Sequence, residues 1–287
     1  MRWLCESILY AYARYFPVRR GKMRLVNAFW PCVVSSGDTT RIARLKRGKF
    51  LMHCDLSQYL QRQYYFFGTY LVEDDLLECW SEFARDAAIV FDIGANAGIF
   101  SLTTLAVRPD AIVHAFEPTP EIVARLQETV RRNRLTNVYI HEFAIGREEG
   151  IAYLNFCKGE TGANDGMNFV SKGELSGAAV PIQITTLDTF CARQNISQID
   201  LLKLDIQGYE AEALAGAERL LSEGRIGTVF TELNWGENSG SPCPASESIQ
   251  LLKQHGFLFA EPTKPLEFHP AGDWMRSLNE IIAKSKV

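Results

Sequence analysis

From about residue 82 onward, short apolar runs alternate with segments of helical pattern, and few folds accept that rhythm. Unbroken apolar runs of this length suit strands buried on both faces, and the longer segments between them can cross over to a parallel neighbour. The strand candidates are 88–93 (AIVFDI), 111–116 (AIVHAF), 138–144 (VYIHEFA), 199–204 (IDLLKL) and 227–233 (GTVFTEL). Ile99, Leu102, Thr103 and Ala106 suit a helix after the first, and Ile122, Val123, Leu126 and Val130 form an apolar stripe after the second. A helix over 210–221, with Leu214, Ala217, Leu220 and Leu221 inward, should stop at Gly224. A helix near 246–255, the apolar FLFA at 257–260 and IIAK at 281–284 complete the pattern. It predicts an α/β fold with a mostly parallel sheet and helices on both faces.

The 287 residues allow one large domain with an extension, divided here as 1–81 and 82–287. Within the first part, LKRGKFLMHCDL reads as strand material around a turn at Gly48, and QYLQRQYYFFGTY as a helix before Gly68. Residues 2–16 place Leu4, Ile8, Tyr12 and Tyr15 near one helical face, and Pro17 ends the pattern amid Arg14, Arg19, Arg20, Lys22 and Arg24. Two readings stand: an amphipathic helix packed on the main domain with solvated charges nearby, or a helix lying on an anionic membrane or substrate. Residues 150–190 break the rhythm with glycines and alternating segments, as a hairpin excursion or lid would.

A net charge of -4 gives no basis for nucleic-acid binding, which needs a concentrated excess of Lys and Arg. Seven scattered cysteines (5, 32, 54, 79, 157, 191 and 243), without a Cys-x-x-Cys pair, argue against a disulfide framework or zinc site and for a reduced, cytoplasmic setting. No apolar run is long enough to span a bilayer. MRWLCESILYAYARYF carries Glu6 and no small-residue cleavage site behind it, unlike a signal peptide.

In an open parallel sheet, ligands collect beyond the carboxyl ends of the strands, so the candidate site is read strand end by strand end. The first end reads Asp92-Ile-Gly94-Ala95-Asn96-Ala-Gly98, where glycines admit a ligand close to the backbone and the next helix offers free N–H groups. A carboxylate before the glycines would repel a pyrophosphate but attract an ammonium, which selects S-adenosylmethionine over a dinucleotide. The second end, Phe116-Glu117-Pro118, puts an acidic residue where it can accept from two ribose hydroxyls, although it equally favours a helix N-terminus. Pro118 is placed to start that helix. The third, Glu142-Phe143-Ala144, borders the adenine or simply continues the strand.

The fourth end delivers Lys203, Asp205 and Gln207. A lysine in a buried strand demands a partner, so Lys203 and Asp205 form either a structural ion pair or part of a catalytic site with Asp205 as base or orienter. Glu232 at the fifth end faces the same region or is a satisfied structural residue. The aromatics Tyr64, Tyr65, Phe66, Phe67 and Tyr70 suit core packing or stacking on a sugar, and His269 in FHPAGDW stands within possible reach of the site.

VFDIGANAGIFS, AFEPTPE, TTLDTF, IDLLKLDIQGYE and ALAGAERLL occur in this order, and together they resemble the FkbM-type family of S-adenosylmethionine-dependent methyltransferases, a resemblance that covers about residues 66–235. The resemblance implies a class I methyltransferase fold, Rossmann-like, with seven strands of which one is reversed at the edge. It also implies O-methylation of a hydroxyl on a sugar, glycan or secondary metabolite. Many relatives carry Glu at the position of Gln207, so an acid/base role rests on Asp205. Asp205 and Glu232 are oxygen ligands, but two carboxylates alone do not make a metal site. The rivals are a nicotinamide-dependent oxidoreductase, which Asp92 and the missing Gly-x-Gly-x-x-Gly oppose, and a non-catalytic scaffold that keeps the cofactor fold.

Overall fold

The structure is a computed structural model that describes residues 2–16, 21–34, 37–71, 74–156, 158–159, 162–163, 168–171, 173, 179–233 and 245–285. Pro17, Arg19, Arg20, Cys157 and Cys243, singled out above, lie outside the described residues. The chain begins with helices α1 (Arg2–Tyr15) and α2 (Lys22–Phe29) and a hairpin of β1 (Thr40–Arg44) and β2 (Leu51–Asp55). Helices α3 (Tyr59–Phe67) and α4 (Asp74–Ala84) follow, and Gly68 ends α3 in a left-handed conformation at φ 72°. The alternating region then supplies β3 (Ile89–Ile93), α5 (Ile99–Val107), β4 (Ile112–Phe116), α6 (Pro120–Arg132) and β5 (Val138–His141).

Short strands come next: β6 (Ala144–Ile145), β7 (Gly150–Asn155), β8 (Lys158–Gly159), β9 (Gly162–Ala163), β10 (Phe169–Ser171) and β11 (Val180–Thr185). The chain continues through α7 (Leu187–Gln194), β12 (Ile199–Leu204), α8 (Glu210–Ala215), α9 (Glu218–Ser222) and β13 (Ile226–Glu232). It finishes with α10 (Ala245–Gln254), β14 (Leu258–Ala260) and β15 (Glu280–Lys284).

Seven strands form one sheet in the order β14-β15-β13-β12-β3-β4-β5, and β15 alone runs against its neighbours. The reversed strand is therefore one place in from the edge, because β15 inserts between β13 and β14. The period of two divides the sheet between its layers. Phe91, Ile93, Leu202 and Leu204 join one core cluster with residues of α7 to α10, whereas Val90 and Leu201 join another with α4, α5 and the β1–β2 hairpin. Residues 1–81 thus share a core with the parallel sheet through Ala43, Met52, Leu77 and Trp80.

Several sequence expectations change in detail. The segment 138–144 is not one strand: β5 ends at His141, and Ala144 joins a second sheet ordered β10-β7-β11-β6. The excursion at 150–190 supplies three strands of this four-stranded sheet, β7, β10 and β11, and β6 comes just before it. The helix over 210–221 breaks in two at Gly216, where a Cβ would lie 2.0 Å from the Gly146 carbonyl oxygen. Helix α6 starts at Pro120 rather than Pro118. Helix α1 packs through Leu9 and Ala13 against Val26, Val33, Leu56, Phe66 and Phe67, so Leu4, Ile8 and Tyr15 point outward instead of packing on the domain. No helix among the described residues is long and apolar enough to cross a membrane.

Candidate active site

Strand order reverses between β3 and β12, and a cleft of about 250 Å³ opens above their carboxyl ends. Its floor consists of Gly94, Ala95 and Asn96 from the β3–α5 turn, then Glu117, Pro118 and Thr119 after β4. Lys203, Asp205, Ile206 and Gln207 after β12 and Glu232 at the end of β13 form the opposite side. Leu60, Tyr64 and Tyr70 close it from the N-terminal part, and Leu154, Asn168 and Val170 from the second sheet.

The β3–α5 turn is shaped by what lies behind it. Gly94 has φ +77°, and a Cβ there would sit 1.9 Å from the Asp205 carbonyl oxygen, so only glycine lets the two loops nest. Glu117, nearly buried, accepts from the Asn96 N–H at 3.1 Å with one oxygen and from the Thr119 N–H at 3.0 Å with the other. The Oδ1 of Asn96 is buried and accepts from no described residue. A Gly-floored turn, an acidic residue at the neighbouring strand end and an unmatched buried acceptor are what the nucleoside and methionine ends of S-adenosylmethionine would use.

Six of the eleven expected cofactor residues do not line this cleft. Asp92 is fully buried: its Oδ2 accepts from the Ser101 amide at 3.0 Å and hydroxyl at 2.6 Å, and its Oδ1 is 3.8 Å from Lys203 Nζ. It shares the Val90 face of β3, so it anchors the start of α5 from beneath rather than seating an ammonium directly. Gly98 caps α5 at φ +85°, where a Cβ would press on Leu126. Phe116 belongs to a ring cluster with Phe91, His141 and Phe190. Phe143 extends that cluster, Glu142 is exposed, and Ala144 is buried in the second sheet, because β5 ends too early to bring them to the cleft. His269 is exposed, pairs its backbone with Phe259 and does not line the cleft.

Both expected catalytic residues are brought together. Lys203 Nζ donates to Asp205 Oδ2 at 3.1 Å and to the Gly94 carbonyl at 3.3 Å, and lies over the Phe100 ring. Gln207, held at φ 53°, donates through its amide nitrogen to Asp205 Oδ1 at 3.1 Å and Glu232 Oε2 at 2.9 Å. Two acceptors thus share the two N–H donors of one amide, a double donation that Glu at this position, with at most one O–H, could not supply.

Burial, reinforced by Asp205, Glu210 and Glu280, pushes the Glu232 carboxyl up to about 9. Glu280 lies opposite Glu232 in the β13–β15 ladder and also lines the cleft; burial and then Asp205 push it up to about 7. Beneath them, burial pushes Glu210 up to about 7 against the backbone N–H groups it accepts from. Glu280 escaped sequence reasoning because β15 runs backward, which brings its first residue, not its last, to the carboxyl ends of the other strands. The available signal was the carboxylate directly before the apolar IIAK run.

Residues 92–259 match the methyltransferase FkbM domain. The 31-O-demethyl-FK506 methyltransferase FkbM of Streptomyces tacrolimicus is 27% identical over 256 residues, covering 80% of this chain and 93% of that protein. The 2-O-methyltransferase NoeI of Sinorhizobium fredii is 27% identical over 175 residues, 57% of this chain and 70% of its own length. Among solved structures, M. jannaschii TYW2 in complex with AdoMet aligns with TM-score 0.41 and 12% identity over 88% of this chain and 87% of its own. The chain belongs to the FkbM methyltransferase family, and it is a methyltransferase with the class I fold.

Proposed function

We propose that the chain transfers the methyl group of S-adenosylmethionine to a hydroxyl oxygen of a small molecule, sugar or glycan. The observation that carries this reading is the opening of Asp205, held by Lys203 and Gln207, into the same cleft as the Gly94–Asn96 turn and Glu117. When bound, the cofactor supplies a methyl on a sulfonium, whose leaving group needs no protonation. The turn and Asn96 receive its methionine end, and Glu117 accepts from its ribose hydroxyls. What the chain must add is alignment of the acceptor oxygen and removal of its proton. Asp205 fills that role at the rim of the cleft, its two oxygens already oriented by the Lys203 ammonium and the Gln207 amide. Glu232 keeps its proton at neutral pH and steadies Gln207.

The acceptor lies toward Leu60, Tyr64 and Tyr70 of the 1–81 segment and toward Leu154, Asn168 and Val170 of the 150–190 sheet, on residues outside the shared motifs. Oxygen as the methyl-receiving atom draws support from relatives named for 31-O and 2-O positions. No metal enters this reading, and a cytoplasmic setting accompanies it on the strength of the cysteines alone, the five described ones being unpaired. The test is incubation with methyl-labelled S-adenosylmethionine and a fractionated pool of small hydroxylated molecules and glycans. Label in an alkali-stable methyl ether supports the proposal. Label on nitrogen or carbon, or cofactor binding with no labelled product in any fraction, contradicts it.

A further inference from the structure

Helix α1 is apolar on two opposite sides. One side, Leu9 and Ala13, is buried against α2, α3 and the β2 end. The other carries Leu4, Ile8, Ala11 and Tyr15, spaced four, three and four residues apart, which places them in a single stripe. This stripe faces solvent: Leu4 is 54% exposed, Ile8 61% and Tyr15 79%, and Trp3 beside it 77%. Helix α2, which packs against α1, adds Leu25 and Phe29, four residues apart and both exposed. Seven of the thirteen large apolar side chains exposed among the described residues fall within the first 29 residues. Scattered exposed apolar residues need no explanation, whereas a stripe at helical spacing implies an occupant.

Charge selects the occupant. Residues 1–24 hold six Lys and Arg (Arg2, Arg14, Arg19, Arg20, Lys22, Arg24) against Glu6, a net +5 in a chain of net -4, which leaves -9 on the remainder. A second copy seated on the same stripe would bring two such cationic segments together, which costs energy at short range. Of these cations Lys22 and Arg14 turn inward, to the Ala13 carbonyl and to those of Arg44 and Tyr65, while Arg2 and Arg24 are exposed. An anionic surface is attracted instead, and an exposed aromatic and aliphatic stripe accompanied by exposed arginines is the pattern of helices that lie in the headgroup layer.

We infer that the exposed stripe of α1, with Leu25 and Phe29 of α2, docks the protein on an anionic lipid bilayer. The arrangement reaches the cleft through a single helix. Tyr65 of α3 bonds Glu6 of α1 at 2.6 Å, and Arg14 of α1 donates to the Tyr65 carbonyl at 3.0 Å. Leu60 and Tyr64 of that helix line the cleft. Docking would therefore hold the acceptor wall one helix away from the membrane surface.

The test is co-sedimentation of the full chain with vesicles of phosphatidylcholine alone or mixed with phosphatidylglycerol, at low and high salt. Binding confined to the anionic vesicles and weakened by salt supports the inference. A triple variant, Leu4→Ser, Ile8→Ser and Tyr15→Ser, should lower that partition by about tenfold or more, since three apolar groups no longer enter the interface. Its thermal unfolding should stay close to that of the parent, because all three side chains are more than half exposed and belong to none of the buried clusters. As an independent variant, Arg2→Gln with Arg24→Gln should weaken binding while leaving the apolar stripe whole. Failure of the parent to sediment with anionic vesicles overturns the inference. Salt-independent binding to neutral vesicles also overturns it, as does self-association of the parent that the triple variant abolishes.

Discussion

Glu280 stands directly across from Glu232 in the antiparallel ladder of β13 and β15, so two carboxyl groups meet at one rim of the cleft. Such a pair is costly when both are charged, and both are pushed upward, Glu232 to about 9 and Glu280 to about 7. The proton that Glu232 keeps at neutral pH, and that Glu280 keeps up to about pH 7, belongs to the folded state alone.

That arrangement fixes the direction of the pH dependence. In the unfolded chain these groups titrate near the ordinary 4.5, so their contribution to stability is fully present below that pH and is lost as pH rises through 7 and then 9. Urea unfolding of the parent should show stability falling across this range. Glu232→Gln, which needs no proton to stay neutral, should restore about 1–3 kcal/mol at pH 9 and change little at pH 5. An equal effect at both pH values would contradict the assignment.

Gly94→Ala tests the nesting of the two loops. The added methyl group lies 1.9 Å from the Asp205 carbonyl oxygen, at a φ that side chains rarely adopt. We expect a loss of about 2–4 kcal/mol in denaturant unfolding and a loss of methyl transfer, since Asp205 must move. A variant with parental stability would show that the loops yield freely.

Glu117→Gln replaces one acceptor oxygen by an N–H donor, which then opposes either the Asn96 or the Thr119 amide. Isothermal titration with S-adenosylmethionine should give a Kd about 10–100-fold weaker, the cost of losing a charged acceptor for paired hydroxyls. An unchanged Kd would remove Glu117 from the cofactor site.

The sheet was largely legible because strands buried on both faces carry a strong, local apolar signal, and four of the five strands expected between residues 88 and 233 emerge within a residue or two. The fifth, over 138–144, misled because an apolar run does not reveal that its last residue joins another sheet. Site legibility followed the same line. Gly94, Ala95, Asn96, Glu117, Pro118, Asp205 and Glu232 sit at strand ends, where topology alone delivers them to the cleft. Asp92 and Phe116 also lie at strand ends, but side-chain alternation turns them into the packed layers. Glu280 was hidden because strand direction is a tertiary property. The outward face of α1 was hidden because the helix is apolar on both sides, and the periodicity of Leu4, Ile8, Tyr12 and Tyr15 did not say which would be covered.

The most direct test of the account is single-turnover transfer from saturating labelled S-adenosylmethionine to the identified hydroxyl acceptor, comparing the parent with Asp205→Asn. The account predicts unchanged cofactor affinity and a transfer step slower by about 10²–10⁴-fold in the variant, with the shape kept but the proton acceptor lost. Transfer at the parental rate by an Asp205→Asn variant that binds the cofactor normally would contradict it.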